Sequence, residues 1–151
     1  MDKIDRNILE ILQIQGRISN QDLSERIGLS TAACLRRVQR LESQGLIRGY
    51  AGLLDAEKLG LRMLVMVEAS LSSHNARVLE AFETAVGLQP EILECHMMSG
   101  DADYLLKVIT RDSVTYEHLY RRVLSSLPGV TKMRSSFAIR SLFQRTALPL
   151  T

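Results

Sequence analysis

At Gly45 the spacing of apolar residues changes, and that change constrains what this 151-residue chain can fold into. Before it, apolar residues recur every three or four positions, the period of a helix with one buried face. After it they alternate, the period of a strand with one face on a core. The chain therefore carries two blocks built by different rules. Its length suits one ordinary domain or two small ones.

In the first block, Ile4, Ile8, Ile11 and Leu12 mark the inner stripe of a helix over 3–15, with Gly16 as a left-handed stop. Ser19 is an N-cap, Asp22 does part of a capping-box job, and Leu23 and Ile27 face inward on a short second helix. Gly28-Leu29 makes a tight turn. Ser30 caps a third helix with inward Cys34, Val38 and Leu41, closed by Gly45. Leu46–Leu54 reads as a pair of short strands bent at glycines.

Residues 55–60 form a polar connection. Leu61–Leu71 then alternates, with Met63, Val65, Val67, Ala69 and Leu71 on one face and Leu64, Met66, Glu68 and Ser70 on the other. A helix over 75–86, a strand at 92–99, a Gly100-Asp101-Ala102 turn, a strand at 103–110, a helix capped by Ser113 and a long strand over 130–143 complete the block. The order β-α-β-β-α-β is the ferredoxin-like plan. The fold class is α+β, with a winged helix-turn-helix at 1–54, a linker at 55–60 and a ferredoxin-like domain at 61–151. Two helices cover one face of a four-stranded sheet. The other face keeps apolar residues such as Leu64 and Met66, so a dimer built sheet to sheet, or a larger assembly, is expected.

Two helices joined by a glycine turn and followed by a hairpin form the winged helix-turn-helix pattern, whose second helix enters a major groove. The side chains facing away from the Cys34–Val38–Leu41 stripe are then the readers. They are Thr31, Ala32, Leu35, Arg36, Gln39, Arg40 and Ser43, with Arg37 at the flank and Ser30 offering a helix start to phosphate. Between Ser30 and Arg48 stand four arginines (Arg36, Arg37, Arg40, Arg48) and a single acid, Glu42. The planar arginine fork suits guanine edges and phosphate alike, and Arg36 or Arg40 is the expected base contact. The whole-chain net charge of +2 is too small to make this argument, so it rests on where the charges sit.

Other classes find no support. Cys34 and Cys95 lack the spacing of a zinc site or disulfide framework, and His74, His96 and His118 share no metal-ligand spacing. There is no phosphate-binding glycine loop and no nucleophile elbow. The Asp101/Asp103 pair lacks a nucleophile or orienting partner, so neither an enzyme nor a cofactor is expected. The opening Met1-Asp2-Lys3-Ile4-Asp5-Arg6 is no signal peptide, and no apolar run approaches the roughly 20 residues of a membrane helix. A soluble cytoplasmic protein with no membrane partner is the expectation.

The stretches Leu23–Ser30, Cys34–Val38 and Leu41–Ile47 resemble the N-terminal domain of Lrp/AsnC (feast/famine) regulators. Glu94–Lys107 and the ending Ser135-Ser136-Phe137-Ala138 with Thr146–Leu150 resemble the amino-acid-sensing domain of the same family, close to its leucine-responsive members. The resemblance spans essentially the whole chain. It implies a transcription regulator that dimerises through its second domain, often assembles into octamers on double-stranded DNA, and responds to an amino acid bound between dimers. Ser99, Gly100, Asp101, Asp103 and Tyr104 match the family's effector-binding turn, and Ser135 and Ser136 its last-strand contribution. The third helix opens Ser30-Thr31-Ala32-Ala33 where close relatives often carry prolines.

The chemistry of such a site suits these residues. An α-amino acid needs a carboxylate for its ammonium, which Asp101 or Asp103 supplies, and donors for its carboxylate, which Ser135, Ser136 and the backbone around Gly100 supply. Taken alone, Gly100–Asp103 reads first as an ordinary hairpin turn, and the resemblance is what makes it a ligand site. A protein that compacts DNA without any ligand is the alternative reading.

Overall fold

Three side chains set the helix starts of the N-terminal unit in the computed structural model, which describes residues 1–150. Asp2 caps α1 (Lys3–Leu12) in a reciprocal capping box with Asp5. Ser19 caps α2 (Asn20–Ile27) and Ser30 caps α3 (Thr31–Ser43), each accepting the backbone N–H three residues on. Gly28, at φ 70°, ends α2 in the left-handed conformation and sets the short turn into α3. The core consists of Ile8, Leu23, Cys34, Val38 and Leu41, with Ile4, Ile11, Leu12 and Ile27 packed around it. These are the stripes the helical period predicts.

Three expectations for this unit are corrected. Gly16 is not in the left-handed region; α1 ends earlier, with Gln13 as its right-handed C-cap. Residues 46–54 form no strand pair, so the helix-turn-helix carries no hairpin wing among the described residues. Gly45 is left-handed instead, and the N–H groups of Leu46 and Ile47 turn back to the Leu41 carbonyl. The segment begins as a helix cap, and a lone two-stranded hairpin is marginal in water without a third strand or a helix to pack on. Finally, the tail from Leu142 joins the compact unit of Met1–Leu54 rather than the second one. Its Leu148 N–H donates to Gln13 Oε1 at 2.8 Å, and Gln13 Nε2 donates to the Leu148 carbonyl at 3.0 Å. The expected second domain was 61–151, of which Thr151 lies outside the described residues.

The second unit runs from Asp55 to Ser141. Residues 55–60, the connection, close into a turn: Lys58 N–H donates to Asp55 Oδ1 and Leu59 N–H to the Asp55 carbonyl. The elements are β1 (Met63–Leu71), α4 (Ala76–Gly87), β2 (Ile92–Met97), β3 (Tyr104–Thr110), α5 (Ser113–Arg122), a 3-10 turn (Leu124–Ser126) and β4 (Val130–Phe137). The strands lie in the order β2-β3-β1-β4 with every pair antiparallel, which is the ferredoxin-like sheet. The last strand stops at Phe137, short of the expected 143. Asp112, not Ser113, caps α5, because its carboxylate accepts both the backbone N–H and the hydroxyl of Thr115.

Alternation along β1 and β3 sorts the sheet into two faces. Val65, Val67, Ala69, Leu106 and Val108 pack with Phe82, Val86, Tyr116, Leu119 and Leu124 beneath the helices. The register places Leu64, Met66, Glu68, Leu105, Lys107, Ile109 and Arg134 on the opposite face, away from α4 and α5. Cys95 and Met97 pair with Leu106 and Tyr104 and so belong to the helix side. They are nevertheless exposed, because β2 is the sheet edge. Gly129 at φ 74° lets the chain turn into β4, where a Cβ would lie 2.5 Å from Val78 Cγ1.

Candidate functional site

The outward surface of α3 follows from its burial. With Cys34, Val38 and Leu41 inside, Thr31, Ala32, Leu35, Arg36, Gln39 and Ser43 are exposed in one sweep along the helix, with Ser30 at its start. A helix of 13 residues with a free N-terminal turn and an exposed arginine is suited to a major groove. The Thr31 hydroxyl lies 3.3 Å from Ser24 Oγ, which ties the start of α3 to α2. Arg48 is exposed in the segment after α3.

The arginines are not equivalent. Arg36 has no ion-pair partner among the described residues. Arg37 Nη1 donates to Asp2 Oδ2 at 2.7 Å and to Asp5 Oδ1 at 2.8 Å. Arg40 Nη2 donates to Asp5 Oδ2 at 2.6 Å. Asp5 is one of few buried polar residues of the chain. The Asp5 backbone N–H and then the Arg37 guanidinium hold the Asp2 carboxyl below the usual range, and the same pairing raises Arg37. Glu42, the single acid in this stretch, is engaged by Tyr50, whose hydroxyl donates to it at 3.0 Å. Burial first, and that carboxylate second, push the Tyr50 hydroxyl up to about 12. Neither acid on α1 is visible from periodicity, since a charged partner leaves no period in the sequence.

In the second unit the turn residues divide by role. Asp103 Oδ2 accepts the Leu71 N–H at 2.7 Å, and Oδ1 lies 2.6 Å from His74 Nε2. The backbone hydrogen bond, with His74 second, lowers its pKa. Tyr104 is a core residue, its ring tilted against Phe82 with centroids 4.6 Å apart, and its hydroxyl donates to Glu83 at 2.6 Å. Its ring still borders a cavity of about 380 Å³ beside the β2 edge, lined also by Val86, Leu93, Cys95 and Met97. Asp101 stands over a smaller cavity of about 120 Å³ lined by Glu68, Ser70, Lys132 and Arg134. There Arg134 clamps Glu68 bidentately at 2.7 and 2.8 Å. Ser99 and Gly100 are exposed in the turn.

One expected juxtaposition does not form. Ser135 pairs with Val67 on the helix side, its Oγ 2.5 Å from Tyr116 Oη, while Ser136 pairs with Met66 on the opposite face. Within one chain the two serines cannot share one carboxylate, because adjacent strand residues point to opposite faces. Among the described residues no cluster of His, Cys, Asp or Glu could hold a metal, and no helix is long and apolar enough to cross a membrane.

An exposed, well-capped second helix in one unit and a ligand-sized cavity beside a hairpin turn in another define a DNA-binding regulator with a sensing domain. Sequence comparison agrees: residues 1–42 match the AsnC-type helix-turn-helix domain and residues 64–148 the Lrp/AsnC ligand binding domain. The chain belongs to the Lrp/AsnC family of transcription regulators, whose DNA binding responds to a ligand. It is 47% identical over 148 residues to the leucine-responsive regulatory protein of Escherichia coli K12, covering 98% of this chain and 90% of that protein. Its structure is similar to an AsnC family transcriptional regulator from Agrobacterium tumefaciens, with a TM-score of 0.94, 38% identity, and 99% and 97% of the two chains covered. It is also similar to a Neisseria meningitidis transcriptional regulator crystallised as its L-Met complex, with a TM-score of 0.93, 37% identity, and 99% and 96% covered.

Proposed function

We propose that the chain acts as an even-numbered assembly of sheet-to-sheet dimers, a homodimer at least and an octamer by analogy with its family. In the cytoplasm, two α3 helices read half-sites in successive major grooves of double-stranded DNA, and an amino acid binds near the 99–104 turn between dimers. The reading of DNA rests on one observation: α3 buries only its Cys34–Val38–Leu41 stripe and leaves Ser30, Thr31, Ala32, Leu35, Arg36 and Gln39 exposed. The half-buried apolar residues Leu64, Met66, Leu105 and Ile109 on the sheet face turned away from α4 and α5 support the dimer. Asp101 or Asp103 supplies charge for the effector's ammonium; both Asp103 oxygens already have partners within the chain, which favours Asp101. The L-Met complex of the Neisseria relative supports an amino acid as the ligand class. The protein works by binding and not by catalysis, with no cofactor besides its effector. Ligand that binds two assemblies with different affinity shifts the balance between them and, by linkage, the affinity for DNA.

Light scattering after size exclusion, with and without each of the twenty amino acids, tests this reading together with gel shifts on DNA selected in vitro. An amino acid that changes both assembly and DNA affinity supports it. DNA binding with no calorimetric signal for any amino acid would favour the ligand-independent compacting protein.

A further inference from the structure

Of the four arginines between Ser30 and Arg48, the N-terminal unit neutralises two from within. The Asp5 side chain, 3% exposed, receives Arg37 on one oxygen and Arg40 on the other. Asp2 receives Arg37 as well, at 2.7 Å. Two acids thus meet two bases, and the cluster is balanced in charge. Asp5 is held in place twice over: its backbone N–H donates to Asp2 Oδ1 at 2.8 Å, and its Oδ2 accepts the Asp2 N–H at 3.3 Å. Arg36 and Arg48 are exposed and meet no acid among the described residues.

We propose that Asp2 and Asp5 are positioning residues for DNA recognition: they hold the Arg37 and Arg40 guanidiniums back from phosphate, so that duplex contact falls to Arg36 and the first turn of α3. This rests on the reading of α3 as the recognition helix. A phosphate contact attracts any duplex, whereas base-edge contacts distinguish sequences. Each arginine that neutralises a phosphate also steepens the fall of log affinity with log salt by about 0.9. An arginine bound to an internal carboxylate adds little to either. On random DNA the protein is free to settle wherever loose arginines find most phosphate. Clamping two of them therefore lowers background binding more than binding at a fitted site.

The test measures fluorescence anisotropy of full-length wild type, Asp2→Asn and Asp5→Asn on a random-sequence duplex and on a selected site across a KCl series. Circular dichroism melts check folding. Asparagine remains a good N-cap, so Asp2→Asn removes charge while keeping the helix start. Per protomer, the salt slope is expected to steepen by up to about 0.9 in Asp2→Asn and up to about 1.8 in Asp5→Asn. Random DNA should bind several-fold tighter at fixed salt, and the preference for the selected site should fall. A merely structural role would lower the melting temperature and weaken both duplexes without steepening either slope. A folded Asp5→Asn with an unchanged or shallower slope would overturn the proposal, whereas in Asp2→Asn the remaining Asp5 contact makes a smaller change the expected result. Should Asp5→Asn fail to fold, Arg40→Gln decides, since that side chain is 49% exposed: a clamped arginine adds no phosphate contact, so the salt slope should stay at the wild-type value, and a slope shallower by about 0.9 would overturn the proposal. A wild type that binds no duplex at any salt overturns the recognition-helix reading as well, whereas one that binds with an unmoved Asp5→Asn slope overturns only the clamp.

Discussion

Asp103 joins the end of β1 to the loop after it: one oxygen accepts the Leu71 N–H at 2.7 Å and the other lies 2.6 Å from His74 Nε2. These contacts favour the carboxylate and lower its pKa from 3.8, with the backbone bond the larger cause. A group whose folded pKa is depressed stabilises the fold fully above its unfolded value and loses that contribution as pH falls through the folded one. Wild type should therefore melt above Asp103→Asn at pH 5–7. The gap should close as pH drops below 3.8, read by thermal denaturation over that range.

Arg36→Ala should weaken binding to a selected DNA site by about 1–3 kcal/mol, the loss of a bidentate base contact. Arg36 is the arginine of α3 with no internal partner among the described residues, so its removal should leave the melting temperature nearly unchanged. Equal gel-shift affinity for variant and wild type would exclude it as a reader.

Met66→Lys places a second charge opposite Lys107, between Leu64 and Glu68, on the sheet face turned away from α4 and α5. In the folded monomer the lysine reaches water. Between two such sheets it would be buried without a partner. Light scattering should report smaller particles than wild type at equal concentration, and an unchanged mass would rule out this face as the dimer contact.

Gly129→Ala should destabilise the second unit by more than about 1 kcal/mol, since alanine is strained at positive φ. Its Cβ would also meet Val78 Cγ1 at 2.5 Å. Chemical denaturation measures the loss, and a variant as stable as wild type would show that α4 shifts freely to make room.

Leu23→Ala opens a hole in the N-terminal core where the residue is 1% exposed. A cost of about 2–5 kcal/mol is expected for a buried leucine. Because α3 rests on this core, DNA binding should fail at a lower temperature than in wild type. A gel shift across temperature checks the coupling.

Much of the fold was legible because its signals are short-range. Caps at Asp2, Ser19 and Ser30 act over three residues, and stripes such as Cys34–Val38–Leu41 act over one or two turns. Asp2 and Ser19 share one local signature, an aspartate three residues on. No wing forms among the described residues because strand pairing needs a partner, and the left-handed Gly45 folds Leu46 and Ile47 back onto the end of α3. The tail failed for a similar reason: β4 ends where β1 ends its ladder with Val65 opposite Phe137. Apolar residues beyond that point carry no mark of which unit they will join.

The candidate site was legible as residue types but not as geometry. Arg37 and Arg40 look as available as Arg36 along the chain, yet their carboxylate partner lies 32 and 35 residues away. Ser135 and Ser136 are neighbours in sequence and occupy opposite sides of a sheet, and Tyr104 is spent on the core and on Glu83. The sequence determined the two-block plan, the helix starts and the buried stripes, because those depend on neighbours within a turn or a strand. Only tertiary structure decided which charges stay free and which face each polar residue joins. Coulombic and hydrogen-bond partners are fixed by where distant segments converge, and convergence has no period to read.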